Sequence, residues 1–207
     1  MKELVSSWFL RPYFNQQQRR KIVQTGDPVR YGSILLALDD ITKSGIVGSL
    51  AEVGVYRGTT SKFIHQIIPN RPFYLFDTFE GFHPRDLNNI NHDERFRDTG
   101  VDEVVQIIGN TDNITIKKGY FPDTTSGLES ETFAFVMIDL DKYDPTLAAL
   151  KFFYPRINSG GYIFVHDYNS PESDWACSKA LNRFLSDKPE KPIGIPDGWG
   201  TVLFRKF

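Results

Sequence analysis

Apolar residues along this chain follow two alternating rhythms. Across residues 31–41, Ile34, Leu35, Leu38 and Ile41 recur at helical spacing and give way to Lys43-Ser44-Gly45, the pattern of an amphipathic helix with its stop signal. Next comes the short continuous run Ser49-Leu50-Ala51-Glu52-Val53-Gly54-Val55, suited to a buried strand, which enters the turn Tyr56-Arg57-Gly58-Thr59-Thr60. Phe63, Ile64, Ile67 and Ile68 then mark a helix. A second strand, residues 73–76, ends at Asp77. Residues 81–113 are polar and too long for a plain connection, so they predict one helix over 101–108 and an insertion covering a site. Further strands are expected at 114–117, 133–138 and 162–165, the last after a Ser159-Gly160-Gly161 turn. The helix between the latter two should open at Asp144-Pro145-Thr146, with Asp144 as N-cap and Pro145 at the first helical position. A helix over 175–185 and a strand over 200–204 close the chain. Strand and helix in alternation predict an α/β fold, a doubly wound sheet.

Domain organisation follows from length. The 207 residues, 40% hydrophobic and 24% charged, suit one soluble domain. Residues 1–30, aromatic and then basic, read as an N-terminal arm or lid on a domain spanning 31–207 with its lid-like insertion at about 81–113. A formal net charge of -2 leaves no electrostatic footprint for nucleic acid. With a single cysteine, Cys177, no intrachain disulfide can form, which fits the cytoplasm. No apolar run approaches membrane-spanning length and no secretory leader is evident, so no membrane partner is expected. The aromatic arm, with Trp8, Phe9, Tyr13 and Phe14, is a candidate contact for a homodimer.

Chemistry concentrates at two predicted strand ends: Ile138-Asp139-Leu140-Asp141-Lys142-Tyr143 and Phe164-Val165-His166-Asp167-Tyr168-Asn169. Ligands of open α/β sheets collect at the carboxyl ends of strands. If the two strands are neighbours, three carboxylates and an imidazole share one cleft, a set suited to a divalent cation and a general base. Apolar strands leave few other reasons for acids at such positions.

Glycines narrow the ligand. Glu52-x-Gly54-x-x-x-Gly58 falls at a strand-to-helix turn, where the backbone can be approached closely and a helix N-terminus offers free N–H groups. It lacks the tighter Gly-x-Gly-x-x-Gly spacing of a dinucleotide site, and Glu52 suits an amino group or cation better than a phosphate. Asp77, about 20 residues past Gly58, stands where α/β nucleoside binders bond ribose hydroxyls. An adenosine joined to an amino acid fits both features.

Five ordered blocks give a more specific signal. They are Ala51-Glu52-Val53-Gly54-Val55-Tyr56-Arg57-Gly58, Phe76-Asp77-Thr78-Phe79-Glu80-Gly81-Phe82, Gly119-Tyr120-Phe121-Pro122-Asp123-Thr124 and the two strand-end clusters, the second preceded by Gly160-Gly161-Tyr162-Ile163. Over roughly residues 31–207 the chain resembles the macrocin-type (TylF-like) O-methyltransferases. The resemblance implies a Rossmann-like methyltransferase sheet, mostly parallel with an antiparallel C-terminal strand. It also implies S-adenosylmethionine as methyl donor and Mg2+-dependent transfer to a small-molecule hydroxyl, with a sugar or glycosylated metabolite as acceptor. Glu52, Gly54, Tyr56, Gly58, Thr59, Asp77 and Phe79 would then serve the donor; Asp139, His166 and Asp167 the metal; and Asp139, Asp141 and His166 the chemistry, with Asp139 or Asp141 taking the proton. One departure bears on the metal. His166 stands where the family commonly has a first Asp before Asp-Tyr, and mixed nitrogen and oxygen ligation admits manganese, iron or zinc as well as magnesium.

Other residues have plainer readings. His65 is read as a surface or half-buried structural histidine, His83 and His92 as loop histidines, and Arg19-Arg20-Lys21 as a solvated helix face. Two different functions compete with methyl transfer: a nicotinamide-dependent oxidoreductase on a similar sheet, and a donor-binding protein without catalysis.

Overall fold

The computed structural model describes residues 13–87 and 93–207, and Trp8, Phe9 and His92 lie outside them. In chain order the elements are α1 Gln16–Gln24, α2 Pro28–Lys43, β1 Ser49–Val53, α3 Thr59–Ile67, β2 Phe73–Asp77, α4 Val101–Ile108 and β3 Ile114–Lys118. They continue as β4 Phe133–Ile138, α5 Tyr143–Phe153, β5 Ile157–Val165, α6 Ala176–Leu185, β6 Ile193–Ile195 and β7 Thr201–Arg205. The strands form a seven-stranded sheet in the order β3-β2-β1-β4-β5-β7-β6. Strands β1 to β5 pair in parallel; β7 runs antiparallel to β5 and β6 antiparallel to β7.

Both faces of the sheet are buried, so successive side chains feed two separate cores. On β4, Phe135 and Met137 join Ile34, Leu38, Phe63 and Val104 of the helices on one side. Val136 and Ile138 join Leu150, Phe153, Leu181 and Phe184 on the other. Every β4 residue is buried, which is why that run reads as continuous rather than alternating.

Three local readings need correction. Lys142, not Asp144, is the N-cap of α5, and no side chain caps that helix. Asp144 instead places its charge in the first turn, where it favours the helix dipole, and Pro145 sits among the first N–H groups that lack partners in any helix. Ser159-Gly160-Gly161 is not a turn before β5 but lies inside it. Phe133 faces Ile157 while Phe135 faces Tyr162, so the extra residues bulge out, and Gly160 supplies the left-handed backbone (φ 84°) the bulge uses. The third reading concerns His65, which is 3% exposed, with neither ring nitrogen hydrogen-bonded.

The stretch read as an arm contains α1. Asn15 caps it in a reciprocal box with Gln18, and Ile22 and Phe14 are buried in the core. Strand β6 carried no usable sequence signal, being three residues between Pro192 and Pro196. Among the described residues no helix is long and apolar enough to cross a membrane.

Candidate active site

The order β2-β1-β4-β5 brings four strand ends side by side at the carboxyl edge of the sheet. The chain bends sharply after each of them, with Tyr56, Phe79, Asp141 and Asp167 in left-handed backbone at φ 51°, 55°, 59° and 56°. Such angles are uncommon for residues with a side chain, and they cluster at functional sites. A cavity of about 650 Å³ opens there, lined by Glu52, Gly54, Tyr56, Thr59 and Asp77 from the glycine side and by Asp139, Asp141, His166 and Asp167 from the acidic side. Gly58 and Phe79 shape the adjoining turns without lining it.

Gly54 joins the two halves. Its φ is 90°, and a Cβ there would stand 1.8 Å from the carbonyl oxygen of Asp139, so only glycine allows the ends of β1 and β4 to touch. Gly58 is likewise a packing glycine, since a Cβ would meet Val104 Cγ1 at 2.9 Å. Asp77 organises the turn between them. One carboxylate oxygen accepts the Val55 and Tyr56 N–H groups at 2.7 and 2.9 Å, and the other accepts the Phe79 N–H at 2.7 Å. The insertion ties to the same turn: the Tyr56 hydroxyl donates to Asp98 at 2.8 Å, and Thr99 donates to the Tyr56 carbonyl.

Glu52 is 2% exposed and accepts a hydrogen bond from Ser61. Burial pushes its carboxyl up to about 8, against the pull of the Ser61 hydroxyl.

Across the cavity, one ligand atom from each of Asp139, His166 and Asp167 lies within 4.8 Å of the others. His166 Nδ1 is 3.1 Å from Asp139 Oδ1 and 3.1 Å from Asp167 Oδ2. Burial opposes a charge on His166, but Asp139 and then Asp167 outweigh it and hold the imidazole well above its ordinary value. Burial also works to raise Asp139, yet His166 and Arg30 hold it below the usual carboxylate range. Asp167 is shifted upward by burial. Asp141, 8% exposed, is raised to about 7 by burial and by the charges of Asp167 and Asp139.

Arg95, from the insertion, reaches this acidic side. Its guanidinium is paired with Asp93 at 2.8 and 2.9 Å, lies over the Phe82 ring and stands 3.9 Å from Asp141 and 3.7 Å from Glu172. Arg30, Arg95, Tyr120 and Trp199 all line the cavity, and the sequence pattern marked none of them as site residues. Their placement is tertiary, and no spacing along the chain announces it. His83 also lines the cavity, with its ring 4.5 Å from that of Tyr120.

A Rossmann-like sheet whose carboxyl edge joins a glycine turn to an acid cluster is the frame of a class of small-molecule methyltransferases. The chain belongs to the macrocin-O-methyltransferase (TylF) family, whose model matches residues 28–206. Among curated relatives, it is 27% identical over 194 residues to an 8-demethyl-8-(2,3-dimethoxy-alpha-L-rhamnosyl)-tetracenomycin-C 4'-O-methyltransferase of Streptomyces olivaceus, covering 83% of this chain and 71% of the relative. It is 26% identical over 174 residues to the mycinamicin III 3''-O-methyltransferase of Micromonospora griseorubida, covering 75% and 67% respectively. Its fold is similar to that of the O-methyltransferase NovP, with a TM-score of 0.72 at 23% identity over 86% of this chain and 80% of that one. Family membership makes the chain a methyltransferase and sets aside the oxidoreductase reading.

Proposed function

We propose that this enzyme transfers a methyl group from S-adenosylmethionine to a hydroxyl of a sugar or glycosylated small molecule, with a divalent cation at Asp139, His166 and Asp167. The observation that carries the reading is a shared cavity: the Glu52–Gly54–Asp77 turn and the acid cluster open into the same space. The sugar-modifying names of the two curated relatives support the acceptor class.

The residues fit both groups. About 650 Å³ is within the usual size of small-molecule sites. Asp77 holds the turn that would meet the nucleoside, and Glu52 faces the donor's ammonium. Two carboxylates and an imidazole within 4.8 Å suit a divalent cation; magnesium is the first choice, and the nitrogen donor admits manganese, iron or zinc. His166 must give up the Nδ1 proton it shares with the two acids before that nitrogen can ligate. When bound, the cation would acidify the acceptor hydroxyl and the sulfonium would offer its methyl. Asp141 then takes the hydroxyl proton, because it is deep, faces the cavity and is not one of the three clustered ligands; Asp139 is the second candidate. Arg95 holds Asp141 from the insertion side, while Phe82 and Phe96 help exclude water.

Thermal-shift measurements with S-adenosylhomocysteine and with NADH, each with and without EDTA, test the reading together with mass-spectrometric detection of methyl transfer to glycosylated acceptors. S-adenosylhomocysteine should stabilise the protein, and EDTA should abolish turnover without abolishing that stabilisation. Stabilisation by NADH alone would overturn the donor. Turnover indifferent to EDTA would remove the cation.

A further inference from the structure

Arg30 lies in the cavity without a task in the scheme above. It is the third residue of α2, its side chain is 17% exposed, and its Nε is buried with no hydrogen-bond partner. Among the described residues only two carboxylates approach its guanidinium within 4.0 Å: Asp139 Oδ2 is 3.7 Å from Nη1 and Asp27 Oδ2 is 4.0 Å from Nε. Both exceed hydrogen-bond length. These long ion pairs partly balance the charge but leave the buried Nε donor without an acceptor, and a buried donor left without one is costly. A guanidinium held in a ligand cavity with donors to spare is therefore set to receive an anion.

The surroundings indicate which anion. Glu52 and Arg30 both line the cavity, and Arg30 also neighbours Asp139 on the reacting side. The end of S-adenosylmethionine that leaves the sulfonium by a short aliphatic arm is a zwitterion, ammonium and carboxylate on one carbon. Glu52 matches the ammonium.

We propose that Arg30 binds the α-carboxylate of the methyl donor through its planar fork of N–H groups, fixing the methionine arm and hence the direction of the methyl group. Arginine is the side chain whose geometry matches a carboxylate in this way. The inference rests on S-adenosylmethionine being the donor.

Calorimetric titration of the full-length protein with two ligands tests it: S-adenosylhomocysteine, and 5′-methylthioadenosine, which keeps the nucleoside and sulfur but lacks the amino-acid end. In Arg30→Gln, affinity for S-adenosylhomocysteine should fall about tenfold to a hundredfold, the range of a charged hydrogen bond. Affinity for methylthioadenosine should change less than about twofold on the same scale. Arg30→Lys, which keeps the charge without the fork, should fall between the two proteins. Unchanged S-adenosylhomocysteine binding in Arg30→Gln would overturn the assignment and direct Arg30 to the acceptor. An equal loss for both ligands would also overturn it, by making Arg30 a support of the pocket wall. Failure of the unaltered protein to bind S-adenosylhomocysteine would be a different result, since it strikes the donor itself.

Discussion

Replacing Glu52 with glutamine keeps the shape of the side chain and removes its ionisation. In the folded protein the carboxyl is 2% exposed and titrates near 8 instead of 4.5, with burial as the leading cause. Between those two values the folded chain holds a proton that the unfolded chain releases. A raised carboxyl pKa therefore gives stability that is complete below about pH 4.5 and is lost as the pH rises towards 8. At about 1.4 kcal/mol per pH unit, the full window is worth about 5 kcal/mol, and the part lost by pH 7 about 3 kcal/mol. Asp141 slopes in the same direction, so the quantity to measure is the difference between the native protein and Glu52→Gln. Urea unfolding at pH 5, 6, 7 and 8 in the absence of ligand should show the native protein losing stability relative to the variant through this range. Parallel curves would refute the reasoning, because a Glu52 that is ionised throughout cannot generate a pH-dependent difference. The same linkage predicts that donor binding, which favours ionised Glu52 beside an ammonium, releases a proton near neutral pH. Calorimetry in buffers of different ionisation enthalpy reads that release directly.

Three further outcomes are expected. Gly54→Ala should destabilise the protein by at least about 4 kcal/mol or prevent folding, because the new Cβ meets the Asp139 carbonyl at 1.8 Å; a soluble variant with unchanged melting temperature would disprove the β1–β4 contact. Asp141→Asn should lower kcat by roughly a hundredfold to ten-thousandfold while S-adenosylhomocysteine affinity changes little, and retained turnover would pass the base role to Asp139. His65→Leu should raise stability at pH 7 by about 1 kcal/mol by removing two unpaired buried nitrogens. Burial lowers the His65 imidazole, so the native protein loses stability as the pH falls below the ordinary histidine value and the advantage of the leucine variant should widen at pH 5; equal advantage at pH 5 and 7 in urea unfolding would contradict this.

The main elements were legible because their causes are local. Period and breakers located β1 to β5 and, at the ends of two of those strands, the acid clusters; the family blocks then added roles for them. What escaped depends on neighbours distant in sequence. Gly54 was marked by its spacing, but the reason for it, the Asp139 carbonyl, exists only because β1 and β4 pair. Arg30 and Arg95 come to the cavity from a helix and from the insertion, and nothing in their own segments distinguishes them from solvated arginines. Ser159-Gly160-Gly161 has the composition of a turn, yet pairing on both sides carries the strand through it. Asp144-Pro145 has the composition of a helix start, yet the helix already opens at Tyr143, two residues before the expected cap-and-proline start.

The four left-handed residues at the sheet's edge have a consequence for durability. Tyr56, Phe79, Asp141 and Asp167 hold conformations that disfavour folding by about 1–3 kcal/mol each, and the two apolar cores must offset that penalty. Weakening those interiors, even far from the reacting groups, should therefore relax the bent corners before the whole molecule melts, so that an ageing or overheated preparation loses turnover while its far-ultraviolet dichroism still looks native.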